Sequence, residues 1–153
     1  MEIKGEHWLP APPEVVWDSL HDVDTLRETI PGCKELTQTA PNCFEGSATV
    51  GIGVIKGLYK GGLELTLENP YSEACVNVSA RSGHAEIRGT GDISLELSGD
   101  GTLVRYRGEA RISGPLAAVG QRLLPSATRS LTESFLRNVE KVLRDQQQVN
   151  KGG

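Results

Sequence analysis

The sequence predicts an α+β fold in which one antiparallel sheet packs against one long C-terminal helix. Apolar and polar residues alternate almost without interruption between residues 44 and 112, which is typical of strands with one buried and one solvated face. From residue 116 onwards the apolar residues recur every three or four positions, as on one face of a helix. A sheet with one dry face must be covered, and this helix is the only predicted element large enough to cover it.

The N-terminal part of the chain is predicted to form one strand and two short helices. Residues 2–9 alternate between two faces, and the prolines that follow residue 9 stop the strand. Proline at the start of a helix costs no hydrogen bond, so we expect a helix that begins there and buries Val16 and Trp17. A second short helix is predicted over residues 24–30, before Pro31 and Gly32.

Five further strands follow from the alternation, at residues 44–54, 63–68, 74–80, 85–97 and 104–112. The Gly99-Asp100-Gly101 turn predicts a hairpin between the last two of these strands. The sheet is therefore expected to be an antiparallel meander with one face in water.

The inner face of this predicted sheet carries an unusual number of small residues. They are Gly46, Ala48, Ala74, Ala80, Ala85, Gly89, Gly91, Gly108 and Ala110. On a strongly curved sheet, such positions leave an apolar cavity that could hold a hydrophobic ligand. They serve equally well as bends and bulges that let the sheet curve onto a helix that fills the gap. The pattern does not distinguish a cavity from a filled core.

The C-terminal helix is predicted from a stripe of apolar residues that runs from Leu116 to Val142. Pro125 lies within this stripe and is expected to kink the helix, because it removes one backbone donor. We expect residues 1–146 to form a single domain and residues 147–153 to form a polar, disordered tail.

Composition and charge exclude several classes of protein. The 153 residues suffice for one domain with its own core. The 16 basic and 20 acidic side chains give a net charge of −4, which argues against a nucleic-acid binder with a basic face. No apolar run approaches the roughly 20 residues needed to span a bilayer, and the first residues do not resemble a signal peptide. We therefore expect a cytoplasmic location.

Neither a catalytic site nor a metal site is predicted. The three histidines and three cysteines are widely spaced, unlike zinc ligands. Cys33 could be a nucleophile in principle, but no base is identifiable for it. His7 lies on the inner face of its strand, where it could contact the polar end of a ligand or act as a base. A lone inward histidine of this kind is more often hydrogen-bonded within the core.

The hairpin tip at residues 53–62 has an unusual composition. Its apolar residues are flanked by lysines, in the order Val54, Ile55, Lys56, Leu58, Tyr59 and Lys60. Such a tip suits contact with an anionic membrane surface or with a partner protein. The alternative is a pair of strand ends whose lysines simply lie in water.

Several motifs along the chain are those of one family. They are Gly5-Glu6 with Ala11-Pro12 and Val16-Trp17, Ile30-Pro31-Gly32-Cys33, Ile55-Lys56-Gly57-Leu58-Tyr59-Lys60-Gly61, Gly89 with Gly91, Gly101-Thr102 with Tyr106, and residues 114–122. On these motifs the sequence resembles the carbon monoxide dehydrogenase G-subunit family of the SRPBCC superfamily, whose fold is the START-like helix grip. The resemblance implies a curved seven-stranded antiparallel sheet around the C-terminal helix, with a cavity between them.

The resemblance also implies a function. Members of this family are encoded beside molybdenum hydroxylases of the aerobic carbon monoxide dehydrogenase type. They are thought to recruit that enzyme to the membrane and to handle an isoprenoid quinone. We therefore expect a non-enzymatic accessory protein at the inner face of the cell membrane. It would bind menaquinone, ubiquinone or a lipid and hold no covalent cofactor.

The expected ligand site is the inner face of the sheet and the facing stripe of the helix. Its predicted lining is His7, Val50, Ile52, Leu65, Val78, Ile87, Ile93, Val104, Tyr106, Leu116, Val119, Leu123, Ala127 and Leu131. Tyr106 and His7 are the residues expected to reach a quinone oxygen. One alternative is a docking or assembly factor with a filled core, which uses the 53–62 hairpin. A further alternative is a cyclase-like or hydrolase-like enzyme that uses the same cavity.

Overall fold

A computed structural model of the chain describes residues 2–152, with side chains described for residues 2–148. These residues form seven strands and three helices. In chain order they are β1 (Glu2–Leu9), α1 (Pro13–Leu20), α2 (Val23–Thr29), β2 (Cys33–Ala40), β3 (Cys43–Ile52), β4 (Ile55–Asn69), β5 (Glu73–Arg81), β6 (Glu86–Ser98), β7 (Gly101–Ser113) and α3 (Ala117–Gly152).

The seven strands form one antiparallel sheet in the order β1-β7-β6-β5-β4-β3-β2. Strands β2 to β7 are a continuous meander, and β1 returns to pair with β7, so that β1 and β2 are the two edges. The inner-face positions are in register across the strands, since Val78 lies opposite Leu63 on one side and Gly89 on the other. The predicted α+β helix-grip fold is confirmed.

Strand β2 is absent from the strands predicted by alternation. Its sequence, CKELTQTA, buries only Leu36, because it is an edge strand that α3 does not cover along its length. A strand with one buried side chain has no alternation to detect. The family resemblance, which implies seven strands, supplied the count that the apolar pattern did not.

Helix α3 contains Pro125, as predicted, but its buried face differs from the predicted stripe. Leu124, Leu136 and Leu143 are buried, whereas Val119 is 54% exposed. Gly120 is buried on the same face, where a β-carbon would lie 2.6 Å from the end of the Ile112 side chain. The buried face keeps Ala127 and Val139 of the predicted stripe and adds Leu124, Leu136 and Leu143.

The C-terminal helix continues beyond the predicted domain boundary. Gln147 lies within α3, and its side-chain amide donates a hydrogen bond to the Pro10 carbonyl. A disordered tail was predicted for residues 147–153. Most of these residues lie beyond residue 148, where side chains are no longer described, so the tail stays a prediction.

Three clusters of buried side chains hold the helices on the sheet. The α1 cluster includes Leu9, Trp17, Val104, Leu136 and Val139. The hairpin cluster is formed by Ile55, Tyr59, Ala85, Ile112, Leu124 and Ala127. The α2 cluster contains Leu26, Leu36 and Phe44. The C-terminal half of α3 thus packs in the α1 cluster, and its N-terminal half packs in the hairpin cluster.

Candidate functional site

The middle of the sheet's inner face is incompletely covered by α3. Val78 lies on that face between Leu63 and Gly89, yet 41% of its surface is exposed. A valine on the covered face of a sheet is normally buried. We call this space, between the α1 cluster and the hairpin cluster, the cleft.

Glycines and an alanine account for the space in the cleft. Gly91 pairs with Gly108, and Gly89 pairs with Ala110, so that the inner faces of β6 and β7 lack large side chains there. The same glycines allow close approach, because a β-carbon on Gly91 would lie 3.0 Å from the Arg107 carbonyl oxygen. They therefore give room on the inner face and allow β6 and β7 to approach closely, and the two strands pair there without a bulge.

A pocket of about 890 Å³ lies between β7 and the N-terminal half of α3, at one side of this cleft. Within the described residues, β1 pairs with β7 from Glu2, opposite Glu109, to Leu9, opposite Thr102. The apolar walls are Ile3, Ala110, Ile112, Leu124 and Pro125, and the charged residues at the pocket are Glu86, Arg88, Arg111 and Arg122.

The pocket adjoins the middle of the sheet through one row of inner-face positions. Ala110 lines the pocket and pairs with Gly89, which in turn pairs with Val78. The arrangement is that of an apolar binding site with a polar rim.

The predicted lining residues divide into several groups. Val78 lines the cleft, and Leu131 is half-buried on α3. Val104 is buried in the α1 cluster, and Ala127 is buried in the hairpin cluster. Leu65 is also buried. Packed at the margins of the two clusters are Ile93, Tyr106, Val50, Ile52, Ile87, Leu116 and Leu123.

Val119 is 54% exposed on α3 and belongs to neither cluster, so its assignment to the lining stays a prediction. The sequence reasoning missed the residues that form the pocket. Ile3, Ala110 and Ile112 were identifiable, since they belong to the inner-face alternation of β1 and β7. Leu124 was missed because the predicted stripe passes through its neighbour Leu123, and Thr128 was missed because it is polar.

His7 is paired with a carboxylate on α3. Its Nε2 atom lies 2.9 Å from Oε1 of Glu140, and Arg144 donates to the other oxygen of the same carboxylate at 3.1 Å. Burial raises the pKa of Glu140, but the hydrogen bonds from His7 and Arg144 outweigh it and hold the pKa below its ordinary value. His7 thus links β1 to α3 through its Nε2 atom.

Tyr106 is half-buried beside the α1 cluster, with its hydroxyl packed over Gly5, where a β-carbon would collide with it. Burial raises the pKa of the Tyr106 hydroxyl, and the nearby Glu133 carboxylate adds to the effect. The hydroxyl therefore keeps its proton at neutral pH and remains a hydrogen-bond donor.

The hairpin between β3 and β4 presents only part of the predicted contact surface. Val54 and Leu58 are 36% and 49% exposed, and Lys56 and Lys60 lie in water. Ile55 and Tyr59 are instead core residues of the hairpin cluster, which corrects their assignment to a membrane or partner contact. Ile55 and Tyr59 both point inward because they are four residues apart in β4, and every second side chain of a strand lies on the same face.

Cys33 and His21 each contact neighbouring polar groups. The Cys33 thiol lies 3.6 Å from the Glu35 carbonyl oxygen, and burial raises its pKa, so that it stays protonated. His21 is half-buried. It hydrogen-bonds the Trp17 carbonyl and contacts the Glu68 carboxylate. Within the described residues, no group of three His, Cys, Asp or Glu side chains could hold a metal ion.

No helix in the described part of the chain combines the length and the apolar character needed to cross a membrane.

The fold and the cleft define a START-like helix-grip protein with an apolar site between sheet and helix. Residues 5–144 match the family model of the carbon monoxide dehydrogenase G subunit (CoxG). The chain therefore belongs to the CoxG family. The family and the fold together indicate a ligand-binding accessory protein. No curated protein sequence matches the chain significantly.

Solved structures support the fold. A conserved protein from Geobacillus kaustophilus superposes with a TM-score of 0.87 at 27% identity, over 95% of this chain and 96% of that one. A START superfamily protein from Mycobacterium smegmatis gives a TM-score of 0.73 at 10% identity, over 95% and 98% of the two chains. The di-domain ARO/CYC StfQ of the steffimycin biosynthetic pathway gives 0.71 at 13% identity, over 95% of this chain and 51% of that one.

Proposed function

We propose that this protein is a non-enzymatic carrier that binds an isoprenoid quinone or a lipid in the cleft between sheet and helix. In this role it serves as an accessory and membrane-recruitment protein for a molybdenum hydroxylase of the carbon monoxide dehydrogenase type. The observation that carries the proposal is the exposure of Val78 on the inner face of the sheet, beside positions that lack large side chains.

The energetics of the cleft favour an apolar ligand. Burial of apolar surface contributes about 25 cal/mol per Å², so a prenyl chain that buries about 300 Å² gains about 7.5 kcal/mol before the costs of association. The charged residues at the pocket suit the polar end of such a ligand.

Binding is tested by extraction and by a matched pair of variants. The purified protein is extracted with organic solvent for mass spectrometry, and uptake of added menaquinone is then measured. Val78→Trp places an indole in the open part of the cleft, whereas Ser79→Trp, at the next residue of β5, places it on the outer face. We expect Val78→Trp to weaken uptake at least tenfold and Ser79→Trp to retain it.

Two results would overturn this proposal. An empty extract together with no uptake of menaquinone would eliminate the carrier function. Unchanged uptake by a folded Val78→Trp protein would show that the ligand does not occupy the cleft.

A docking factor is the second candidate function. It is favoured by the exposed Val54 and Leu58 on a hairpin that also carries Lys56 and Lys60. The partner would again be the hydroxylase or its assembly machinery. Loss of hydroxylase co-purification in Val54→Ser/Leu58→Ser, with no ligand detected in the unmodified protein, would select this function.

A further inference from the structure

Tyr59 carries a buried hydroxyl without a hydrogen-bond partner. Its side chain is only 4% exposed, and its oxygen is the one buried side-chain polar atom left unpaired among the described residues. A buried hydroxyl without a partner is destabilising, because it loses its hydrogen bonds to water without replacement. Phenylalanine would fill the same space without that cost.

The surroundings of this hydroxyl are apolar and belong to the interface between sheet and helix. The hairpin cluster contains Tyr59 together with Ile55, Leu124 and Ala127, and it is bordered by Ala80 and Ala110. Leu124 and Ala110 also line the 890 Å³ pocket. The unpaired donor therefore lies in the same cluster as walls of the candidate ligand site.

We propose that the Tyr59 hydroxyl is the hydrogen-bond donor for the polar end of the ligand, and that this ligand is an apolar molecule with a carbonyl or similar acceptor oxygen. The inference rests on the proposed carrier function. It adds the chemistry of the ligand and the residue that donates a hydrogen bond to it. A pure hydrocarbon would leave the donor unpaired, whereas a carbonyl oxygen would satisfy it. Tyr59 replaces His7 and Tyr106 as the residue that meets a ligand oxygen.

Access to this donor requires a movement of α3. The hydroxyl is closed to solvent in the structure, and Leu124 and Ala127, which flank Pro125, pack in the same cluster. Pro125 has no amide hydrogen, so the helix lacks one backbone hydrogen bond at this point. The N-terminal segment of α3 can therefore separate from the sheet there at a lower cost than an uninterrupted helix would require.

The test compares two probes on two matched variants. Decylubiquinone has carbonyl oxygens on its ring, and dodecylbenzene has a ring and an alkyl chain but no acceptor. Tyr59→Phe removes the buried hydroxyl, and Tyr71→Phe makes the same change at a 48% exposed position beside Trp17. Dissociation constants are measured by displacement of a fluorescent naphthylamine probe.

We expect Tyr59→Phe to weaken the binding of decylubiquinone about 5- to 10-fold and to leave dodecylbenzene unchanged. Tyr71→Phe should bind both compounds as the unmodified protein does. The melting temperature of ligand-free Tyr59→Phe should be unchanged or higher, because an unpaired donor has been removed.

The outcomes separate the inference from the function on which it rests. If both compounds bind and Tyr59→Phe binds decylubiquinone with unchanged affinity, the role of Tyr59 is refuted while the carrier function stands. If neither compound binds the unmodified protein, both fail. A lower melting temperature for ligand-free Tyr59→Phe than for Tyr71→Phe would show that the hydroxyl already has a partner, which would also refute the inference.

Discussion

The imidazole of His7 and the carboxylate of Glu140 meet at 2.9 Å and connect the first strand to the last helix. The two residues are 133 positions apart in the chain, so the contact exists only when β1 has joined the sheet edge and α3 covers it. Arg144, one turn further along α3, holds the same carboxylate. This trio secures the C-terminal half of the helix against the sheet.

We predict that the stability contributed by Glu140 is lost in acid. The pKa of Glu140 is lower in the folded protein than its ordinary value, so its contribution is fully present above the ordinary glutamate pKa of about 4.3 and disappears as the pH falls through the lower folded value. Glu140→Gln should cost about 1 kcal/mol of unfolding free energy at pH 7. That difference from the unmodified protein should vanish below the folded pKa.

Urea unfolding at a series of pH values measures this effect. Glu96→Gln is the control, because Glu96 pairs with Arg105 at an exposed site and should cost under about 0.5 kcal/mol. A difference for Glu140→Gln that persists unchanged in acid would contradict the prediction.

Pro125→Ala is expected to stabilise the protein and slow its loading. Alanine restores the backbone donor missing from α3, which should raise the unfolding free energy by about 1–3 kcal/mol. A continuous helix should separate from the sheet less readily, so the rate of quinone uptake should fall. Chemical unfolding and stopped-flow fluorescence measure the two effects, with the neighbouring exposed Ser126→Ala as the control. Faster uptake by a more stable Pro125→Ala protein would contradict the proposed movement.

The β3–β4 hairpin should separate surface effects from core effects. Val54→Ser/Leu58→Ser changes two exposed residues, so the unfolding free energy should stay within about 0.5 kcal/mol. Binding to phosphatidylglycerol vesicles, measured by co-sedimentation, should fall if this tip contacts a membrane. Tyr59→Ser should instead lower the unfolding free energy by about 3 kcal/mol, because it leaves a cavity at a buried position. Equal vesicle binding by the double variant and the unmodified protein would eliminate the tip as a membrane contact.

Gly61→Ala is expected to destabilise the sheet by about 2–3 kcal/mol. A β-carbon at Gly61 would collide with the Ser79 carbonyl oxygen, where β4 and β5 approach closely. Gly51→Ala is the matched control, since its β-carbon would meet no atom within 4 Å. Thermal unfolding of the two variants measures the difference, and equal melting temperatures would show that the strands can separate without cost.

The order of most elements could be predicted from the sequence, because apolar periodicity is a local property of the chain. Alternation identified six strands, and the three-to-four spacing identified α3. Strand β2 could not be found in this way, since Leu36 is its one buried residue. Its place at the sheet edge depends on backbone pairing with β3, which leaves no mark on its side chains.

The orientation of α3 required the tertiary structure. Apolar neighbours such as Leu123 and Leu124, or Phe135 and Leu136, allow two stripes that differ by one residue. In the folded protein Leu124 and Leu136 are buried against the sheet. That orientation determines which residues line the pocket and which, like Val119, are exposed.

The sequence by itself determined the fold class, the small residues of the inner face and, through its motifs, the family. Only the tertiary structure decided that the middle of the sheet is open at Val78, that His7 is engaged by Glu140, and that Tyr59 is buried with an unpaired hydroxyl. Each of these depends on the position of α3 relative to the sheet. That position is set by contacts between residues far apart in the chain, which local patterns of polarity do not encode.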